Sequence, residues 1–407
     1  RSIAIIGASD NPNKIGGRPI HYLDRYGFRG AVYPINPTRS EVQGRRCYAS
    51  LDALPEAPDL VIVAVAGDNA VAAVEQCAAC GVKVAVVMAS GFGEVDAVDG
   101  KAMEGRMVAA ARRAGMRIVG PNSQGLANFG TGAIASFSTM FMESAPEPGH
   151  VAILSQSGAL STAPFSFLHA RGIGLRHSHA TGNDADITVG ELAVAVAEDP
   201  EVRLMLLYLE SIPDKRYFEE LAEIARARDL PIIALKSGRT EAGRAAAQSH
   251  TGALANEDRM VDAFFAHHGI WRARDLRGLV DAAELYLKGW APNGRNLVAI
   301  SNSGAVCVMT ADAATGAGLP MARLAPQTDR KLKAILPSFA TTTNPIDVTA
   351  ALLSNSRLFS DILPVIAADP AADALLIGIP VAGPGYDLEA FARDTAAFAA
   401  DTGKPVV

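Results

Sequence analysis

Short runs of valine, isoleucine, leucine and alanine recur along this chain, each followed by an alanine-rich amphipathic stretch, and that alternation leaves few folds open. Leu60-Val-Ile-Val-Ala-Val65, Lys83-Val-Ala-Val-Val-Met88, Leu204-Met-Leu-Leu-Tyr-Leu209 and Ala374-Leu-Leu-Ile-Gly-Ile379 are examples. A strand that is apolar at successive positions must be covered on both faces, the mark of a parallel sheet between layers of helix. The expected class is α/β, repeated along the chain. Breaks fall at two proline-bearing polar stretches, Ser144-Ala-Pro-Glu-Pro-Gly-His150 and Trp290-Ala-Pro-Asn-Gly-Arg295. They divide the chain into modules 1–145, 146–292 and 293–407, the last truncated or incomplete. Three domains also suit 407 residues at roughly 150 per domain.

Composition removes several classes of function. With 49% apolar and 20% charged residues the chain can bury substantial cores. A net charge of −6 gives no reason to expect a nucleic-acid partner. No apolar run approaches the roughly 20 residues that span a bilayer, and no signal-peptide pattern opens the chain, so no membrane association is expected. Four cysteines in a chain of this size do not make a disulfide scaffold, which points to a reducing cytoplasm. Arg1-Ser2 runs straight into the apolar stretch Ile3-Ala-Ile-Ile6, and Pro405-Val-Val407 stops in what reads as a starting strand. A longer parent chain or a partner subunit is expected.

Each module opens on an apolar run and a turn of small residues. In the first, Gly7-Ala-Ser-Asp-Asn-Pro-Asn-Lys-Ile-Gly-Gly17 lies where a doubly wound sheet binds a nucleotide, with small side chains to let backbone N–H groups approach phosphate. The spacing is not Gly-x-Gly-x-x-Gly, and the second strand ends at Val32-Tyr-Pro-Ile-Asn-Pro37 without a clear ribose-binding acid. That weakens NAD and leaves another adenine nucleotide such as coenzyme A open, beside the plainer reading of a tight turn. The second and third modules open on near-copies, Ser155-Gln156-Ser157-Gly158 and Ser301-Asn302-Ser303-Gly304. Each is expected to present hydroxyls and N–H groups at a helix start. Ser155 and Ser301 could simply be N-caps, worth about 1 kcal/mol each. A helix N-terminus also stabilises an anion by roughly 0.3–1 kcal/mol, up to ~2 when partly buried. Two copies suggest two anion sites.

His250 closes a stretch, residues 237–252, with three glycines, four alanines and no side chain large enough to anchor a core. It reads as a loop, and a histidine there is poorly explained by packing. Glu210 ends the apolar run 204–209, at the carboxyl edge where α/β sheets keep their sites. An acid there can orient an imidazole through one ring nitrogen and leave the other nucleophilic. Other candidates favour structure over chemistry. Cys77-Ala-Ala-Cys80 lies inside a predicted helix over 69–81 with no second ligand pair. His267-His268 and His177-Ser-His179 lack carboxylates at metal-site spacing, so no metal is assigned. Ser157 lacks the Gly-x-Ser-x-Gly elbow of a hydrolase.

Gly7-Ala8-Ser9, Gly120-Pro-Asn122, Ser155-Gln-Ser-Gly158, Thr181-Gly-Asn183, Leu209-Glu-Ser211 and Ser249-His-Thr-Gly-Ala253 together resemble the NDP-forming acyl-CoA synthetases. These are relatives of succinyl-CoA synthetase and include ADP-forming acetate–CoA ligases. The resemblance spans essentially the whole chain. It implies a Rossmann-like CoA-binding domain followed by two flavodoxin-like ligase domains, with an ATP-grasp domain on the same or another chain binding ATP or ADP and Mg2+. Residue by residue, it makes His250 the phosphorylated histidine and Glu210 its orienting acid. The turns 155–158 and 301–304 become the phosphate cradle, and Gly7, Ala8, Ser9, Asn36 and Asn122 belong with CoA. Asn344-Pro-Ile-Asp-Val348 fits the third domain. The implied reaction interconverts an acyl-CoA and a carboxylic acid through an acyl-phosphate and a phosphohistidine, with free phosphate consumed or released. Oligomers are the family habit. Two departures stand: nothing like an ATP-grasp domain lies within these residues, and Val65-Ala-Gly67 has alanine where relatives often have proline.

A different class of function remains open beside this one. Some protein acetyltransferases carry a similar region as a non-catalytic CoA or acyl-CoA sensor, although that type usually loses the histidine kept here. An acetyltransferase domain in the parent gene would decide for it. An NAD-dependent dehydrogenase is a third reading, which cofactor titration would exclude if CoA but not NAD(H) bound.

Overall fold

The computed structural model describes residues 1–95, 98–251, 257–290 and 292–407, apart from the side chains of residues 98 and 247–251. It divides into two compact units, Arg1–Leu287 and Lys288–Val407.

The larger unit begins with a five-stranded parallel sheet in the order Ala31–Ile35, Ser2–Ile6, Leu60–Val63, Val84–Val87, Arg117–Val119. Its strands are the apolar runs of the sequence, and Ala4, Ile5, Val61, Ile62 and Val86 are buried whichever face they point to. Helices Arg18–Arg25, Asp68–Ala79 and Val98–Arg113 supply the cover. A second sheet runs Trp271–Arg272, Ile232–Lys236, Leu204–Leu209, Pro148–Ser155, Leu175–Ala180, Gly125–Asn128, Ala133–Ser136. Its first five strands are parallel, and the last two form an antiparallel hairpin added at the edge. That hairpin precedes the proline-bearing break at 144–150, so the chain enters the second sheet before the sequence signals a new module.

The hairpin ties the two sheets together. Helix Arg18–Arg25 packs on strand Ala133–Ser136 and buries Tyr22 against Phe141, which also meets Phe129 and Phe165 edge-on. The Tyr22 hydroxyl donates to the Ser138 carbonyl. On the opposite side, Asp186 accepts from Arg112 at 3.0 Å, from Arg117 at 2.9 Å and from the Ile118 N–H at 2.9 Å. Arg117 also makes a two-pronged contact with Glu191.

The smaller unit holds a three-stranded parallel sheet, Ile346–Asp347, Leu297–Ser301, Ala374–Gly378, over a core that includes Ile300, Leu332, Phe359, Ile362 and Phe391. Residues 405–407 extend it, with the Ile377 N–H donating to the Val407 carbonyl at 2.8 Å.

One topology recurs in all three of these sheets. The first parallel strand in sequence lies inside, the second is added on one side and the third on the other. Chain direction away from the sheet therefore reverses between the first and third strands, and the crevice at their carboxyl ends is where such sheets bind ligands. Turn 7–17 sits at the first of these switch points, turn 155–158 at the second and turn 301–304 at the third.

Candidate functional site

At the second switch point strands Pro148–Ser155 and Leu204–Leu209 lie side by side, with Ser155 opposite Tyr208. Gln156 and Glu210 therefore emerge as neighbours. Gln156 is buried, and its amide is fully used. Its Oε1 accepts the N–H groups of Glu210, at 2.5 Å, and Ser211, at 2.9 Å. Its Nε2 donates to Asp184 Oδ2 at 2.8 Å and Ser211 Oγ at 3.2 Å. Asp184 Oδ2 also accepts the Val189 N–H at the start of helix Val189–Ala197. Burial pushes the Asp184 carboxyl up to about 6; hydrogen bonds from Thr181, Gln156 and Val189 oppose that rise and the Glu210 charge adds to it. Sequence reasoning assigns no role to Asp184, Ser211 or Lys236. The only sequence signal for Asp184 is its place directly after Thr181-Gly-Asn183.

The two Ser-x-Ser-Gly turns share one local geometry. Ser157 N–H donates to Ser155 Oγ at 3.0 Å, and Ser303 N–H donates to Ser301 Oγ at 3.1 Å. Neither first serine is a helix N-cap; each hydroxyl folds back on its own turn. The two turns part company after their glycines. Gly304 begins a 13-residue helix, Gly304–Gly316, with Ser303 at the cap position and no side-chain cap. Gly158 instead leads into a single tight turn, Ala159–Ser161, and then the seven-residue helix Ala163–His169. The expectation of a helix start at both turns is thus corrected at 155–158. Pro164 favours this break: without an N–H it disfavours the interior of a helix begun at 158 and instead sits in the first turn of Ala163–His169. Asn302 Nδ2 reaches across its own switch point to the Val381 carbonyl at 2.8 Å.

His250 brings a second correction. Residues 241–251, expected as part of a loop, are helical as Glu241–Thr251. Alanine, arginine, glutamate and glutamine favour that state, and Thr240 starts it by accepting the Gly243 N–H at 3.0 Å. The His250 side chain lies outside the described residues. The helix follows strand Ile232–Lys236, which borders Leu204–Leu209. Lys236 ends that strand fully buried, with Nζ on the Ser237 carbonyl at 2.7 Å. Burial lowers its pKa and the Arg272 charge adds to that, while Asp258 and Glu210 oppose it.

At the first switch point the Gly7 and Ala8 N–H groups both donate to the Ile35 carbonyl. Asn36 Nδ2 holds the Ala8 carbonyl at 2.9 Å, and its Oδ1 accepts from Thr38. Gly7, Ala8 and Asn36 therefore shape the turn, and Ser9 leads into its open part. Gly7 has φ +85°, and a Cβ there would lie 2.9 Å from Val65. The site fits an anionic ligand in one further respect: Arg18, buried beside the turn, has an Nε that meets no partner among the described residues. Asn122, at φ +59°, forms the rim between the two sheets. Its N–H donates to the Ala89 carbonyl at 2.8 Å. Asn183 from the facing loop donates to Glu94 and Glu104.

The remaining sequence candidates are structural. Cys77 is buried in helix Asp68–Ala79, and burial pushes its thiol up to about 12. Burial, with Asp52 beside it, takes Cys80 to about 11. Neither is a thiolate near neutral pH. Among the described residues no group of three or more His, Cys, Asp or Glu could hold a metal ion.

Known proteins place these features. Residues 1–128 match the CoA binding domain model, residues 148–286 the succinyl-CoA ligase like flavodoxin domain and residues 297–401 the ligase-CoA domain. The alpha subunit of ADP-forming acetate–CoA ligase I from Pyrococcus furiosus is 36% identical over 357 residues, which covers 86% of this chain and 75% of that subunit. This chain belongs to the ADP-forming acyl-CoA synthetases. The ADP-forming acetate–CoA ligase of Methanocaldococcus jannaschii is 35% identical over 86% of this chain and 48% of that protein. A relative from Archaeoglobus fulgidus is matched over 53% of its length. The chain thus spans about half the length of these two. Among solved structures, the dinucleotide-forming acetyl-coenzyme A synthetase 1 of Ca. Korarchaeum cryptofilum, in complex with phosphate and ADP, superposes with a TM-score of 0.88 at 31% identity. The match covers 100% of this chain and 86% of that one. The α/β class with a CoA-binding domain and flavodoxin-like ligase domains is accordingly the fold of this chain.

Proposed function

We propose that this chain is the CoA-binding and phosphohistidine-bearing part of an ADP-forming acyl-CoA synthetase. The observation that carries the reading is the Gln156-centred edge, which fixes the Glu210 turn beside the strand that leads to His250. We read 1–145 as the CoA-binding domain, 146–292 as the ligase domain with the phosphohistidine and 293–407 as the second ligase domain. An ATP-grasp domain or subunit supplies ATP or ADP with Mg2+, and the assembly is an oligomer of the cytoplasm.

In the direction of acyl-CoA breakdown, an oxygen of phosphate attacks the thioester carbonyl, the carbon–sulfur bond breaks and CoA leaves as the thiol. A ring nitrogen of His250 then attacks phosphorus, releasing the carboxylate. Finally an oxygen of ADP attacks the phosphohistidine and the phosphorus–nitrogen bond breaks. Glu210 holds the proton on the other ring nitrogen and so keeps the attacking one unprotonated. Turn 155–158 offers N–H groups to an anion, and turn 301–304 of the other unit is a second anion site, helped by a helix end. CoA lies along turn 7–17, near Ser9, Arg18 and Asn122.

His250→Ala decides the matter in the complete enzyme. Incubated with labelled ATP and Mg2+, the parent should acquire acid-labile phosphate and the variant none. Acyl-CoA formation should fall by at least about 1,000-fold, the scale for losing a covalent nucleophile. Full activity in the variant would overturn the mechanism. Glu210→Gln should keep the histidine but slow its phosphorylation about 100-fold.

A further inference from the structure

We propose that Asp184 is a positioning residue for Glu210, acting through Gln156. The inference deepens the reading of Glu210 given above and rests on it. A primary amide can turn over by 180° and exchange its oxygen and nitrogen, and only its partners forbid this. Gln156 Oε1 must face Glu210 and Ser211, because both present N–H donors. On the other end of the amide, Ser211 Oγ can donate as well as accept, so it does not select an orientation. The ionised Asp184 Oδ2 accepts at 2.8 Å from Nε2 and so anchors the amide in the orientation that the two N–H groups set. Its own place is fixed by the Val189 N–H at 3.2 Å and by a backbone held at φ +54°. Remove the Asp184 carboxylate and the Nε2 end of the amide keeps only Ser211 Oγ, so the side chain is free to swing off the N–H groups of Glu210 and Ser211. Those two donors would then lose their acceptor, and the Glu210 turn would loosen.

The surroundings tie this role to protonation. Asp184 is buried, with the Thr181 hydroxyl beside its carboxylate. The charge facing Asp184 is that of Glu210, from the end of strand Leu204–Leu209. Asp186, on the same loop, is neutralised by Arg112 and Arg117, and Glu191 of helix Val189–Ala197 by Arg117. An ionised Asp184 is the stronger acceptor for Gln156. Positioning is therefore complete above the Asp184 pKa of about 6 and weakens as the pH falls through it.

Hydrogen–deuterium exchange of the complete enzyme, read on the peptide covering residues 204–213, tests this without reference to turnover. Asp184→Ala should speed exchange at Glu210 and Ser211 about tenfold or more and lower kcat about tenfold, with KM for CoA within about twofold. Asp184→Asn retains an oxygen for Gln156 and should cost less than about threefold in either. In the parent, protection corrected for intrinsic exchange should fall between about pH 7.5 and pH 5.5; in Asp184→Asn it should stay level. Parent-like protection in Asp184→Ala would overturn the proposal, as would a pH-dependent loss in Asp184→Asn that matches the parent. A Gln156→Leu variant with the same exchange profile as Asp184→Ala would support it, and one with parent-like protection would sink it. Should the parent form no phosphohistidine, the enzymatic reading fails, while the exchange data still decide what Asp184 does.

Discussion

His177 and His179 stand two residues apart on strand Leu175–Ala180, on one face of the second sheet, and both are buried. Their hydrogen bonds fix every ring proton. The Ala127 N–H donates to His179 Nδ1 at 3.3 Å, so His179 carries its proton on Nε2 and gives it to His177 Nδ1 at 3.1 Å. His177 Nε2 then donates to Asp199 at 2.9 Å. Burial lowers both pKa values; the Asp199 charge opposes this at His177, and the neighbouring His177 adds to it at His179. Each ring is neutral in the fold and takes up a proton on unfolding below about pH 6.5. The unfolded chain binds more protons there, so stability is complete above that value and is lost as the pH falls. Asp184 acts in the opposite sense, since its raised pKa lets the folded state take up a proton first. Two histidines outweigh one carboxyl, and the melting temperature should drop between about pH 7 and pH 5.5, more steeply in Asp184→Asn. A flat profile in thermal melts would contradict the assigned tautomers.

At the scale of elements, three switch points carry three turns, and their tolerance of side chains separates them. Gly7 has φ +85° with Val65 2.9 Å from where a Cβ would sit, whereas Gly27, at φ +67°, has open space. Gly27→Ala should cost about 1 kcal/mol from backbone strain alone. Gly7→Ala adds a clash against the neighbouring strand end and should cost about 2–3 kcal/mol in urea titrations, with weakened CoA binding in calorimetry. Equal costs at the two positions would remove the close approach as the reason for Gly7. The sequence discloses these turns because small residues after apolar runs have a distinct composition. It also discloses the sheets, since runs buried on both faces cannot alternate. What it hides is long-range. Pro164 disfavours an α-helix running on from 158, but whether it falls in a first turn depends on where the helix begins. Residues 241–251 hold many small side chains, which suit a loop by bulk, while the alanines suit a helix by propensity. Asp184 is all but silent in the sequence because its partner Gln156 lies 28 residues away.

Over the whole molecule the count of sheets and the count of compact units differ. Three sheets have parallel strands among the described residues, yet the first two belong to a single compact unit. The physical reason is the hairpin Gly125–Asn128 and Ala133–Ser136, which pairs with the second sheet while its outer strand packs on helix Arg18–Arg25 of the first. Tyr22 is completely buried in the aromatic cluster of the second sheet, and the Asp186 side chain is 1% exposed between Arg112 and Arg117. Neither sheet can unfold without exposing those groups. A buried carboxylate left without its arginines, or arginines without their carboxylate, costs about 3–5 kcal/mol; with both arginines reaching water here the lower end applies. Differential scanning calorimetry should therefore resolve two transitions, one for residues 1–287 and one for 288–407, and not three. Asp186→Asn should lower the larger transition, by about 2–4 °C for each kcal/mol lost, and leave the smaller one in place. A third transition, or a shift of the smaller one alone, would mean that the first two sheets melt as separate domains and that the hairpin is not what joins them.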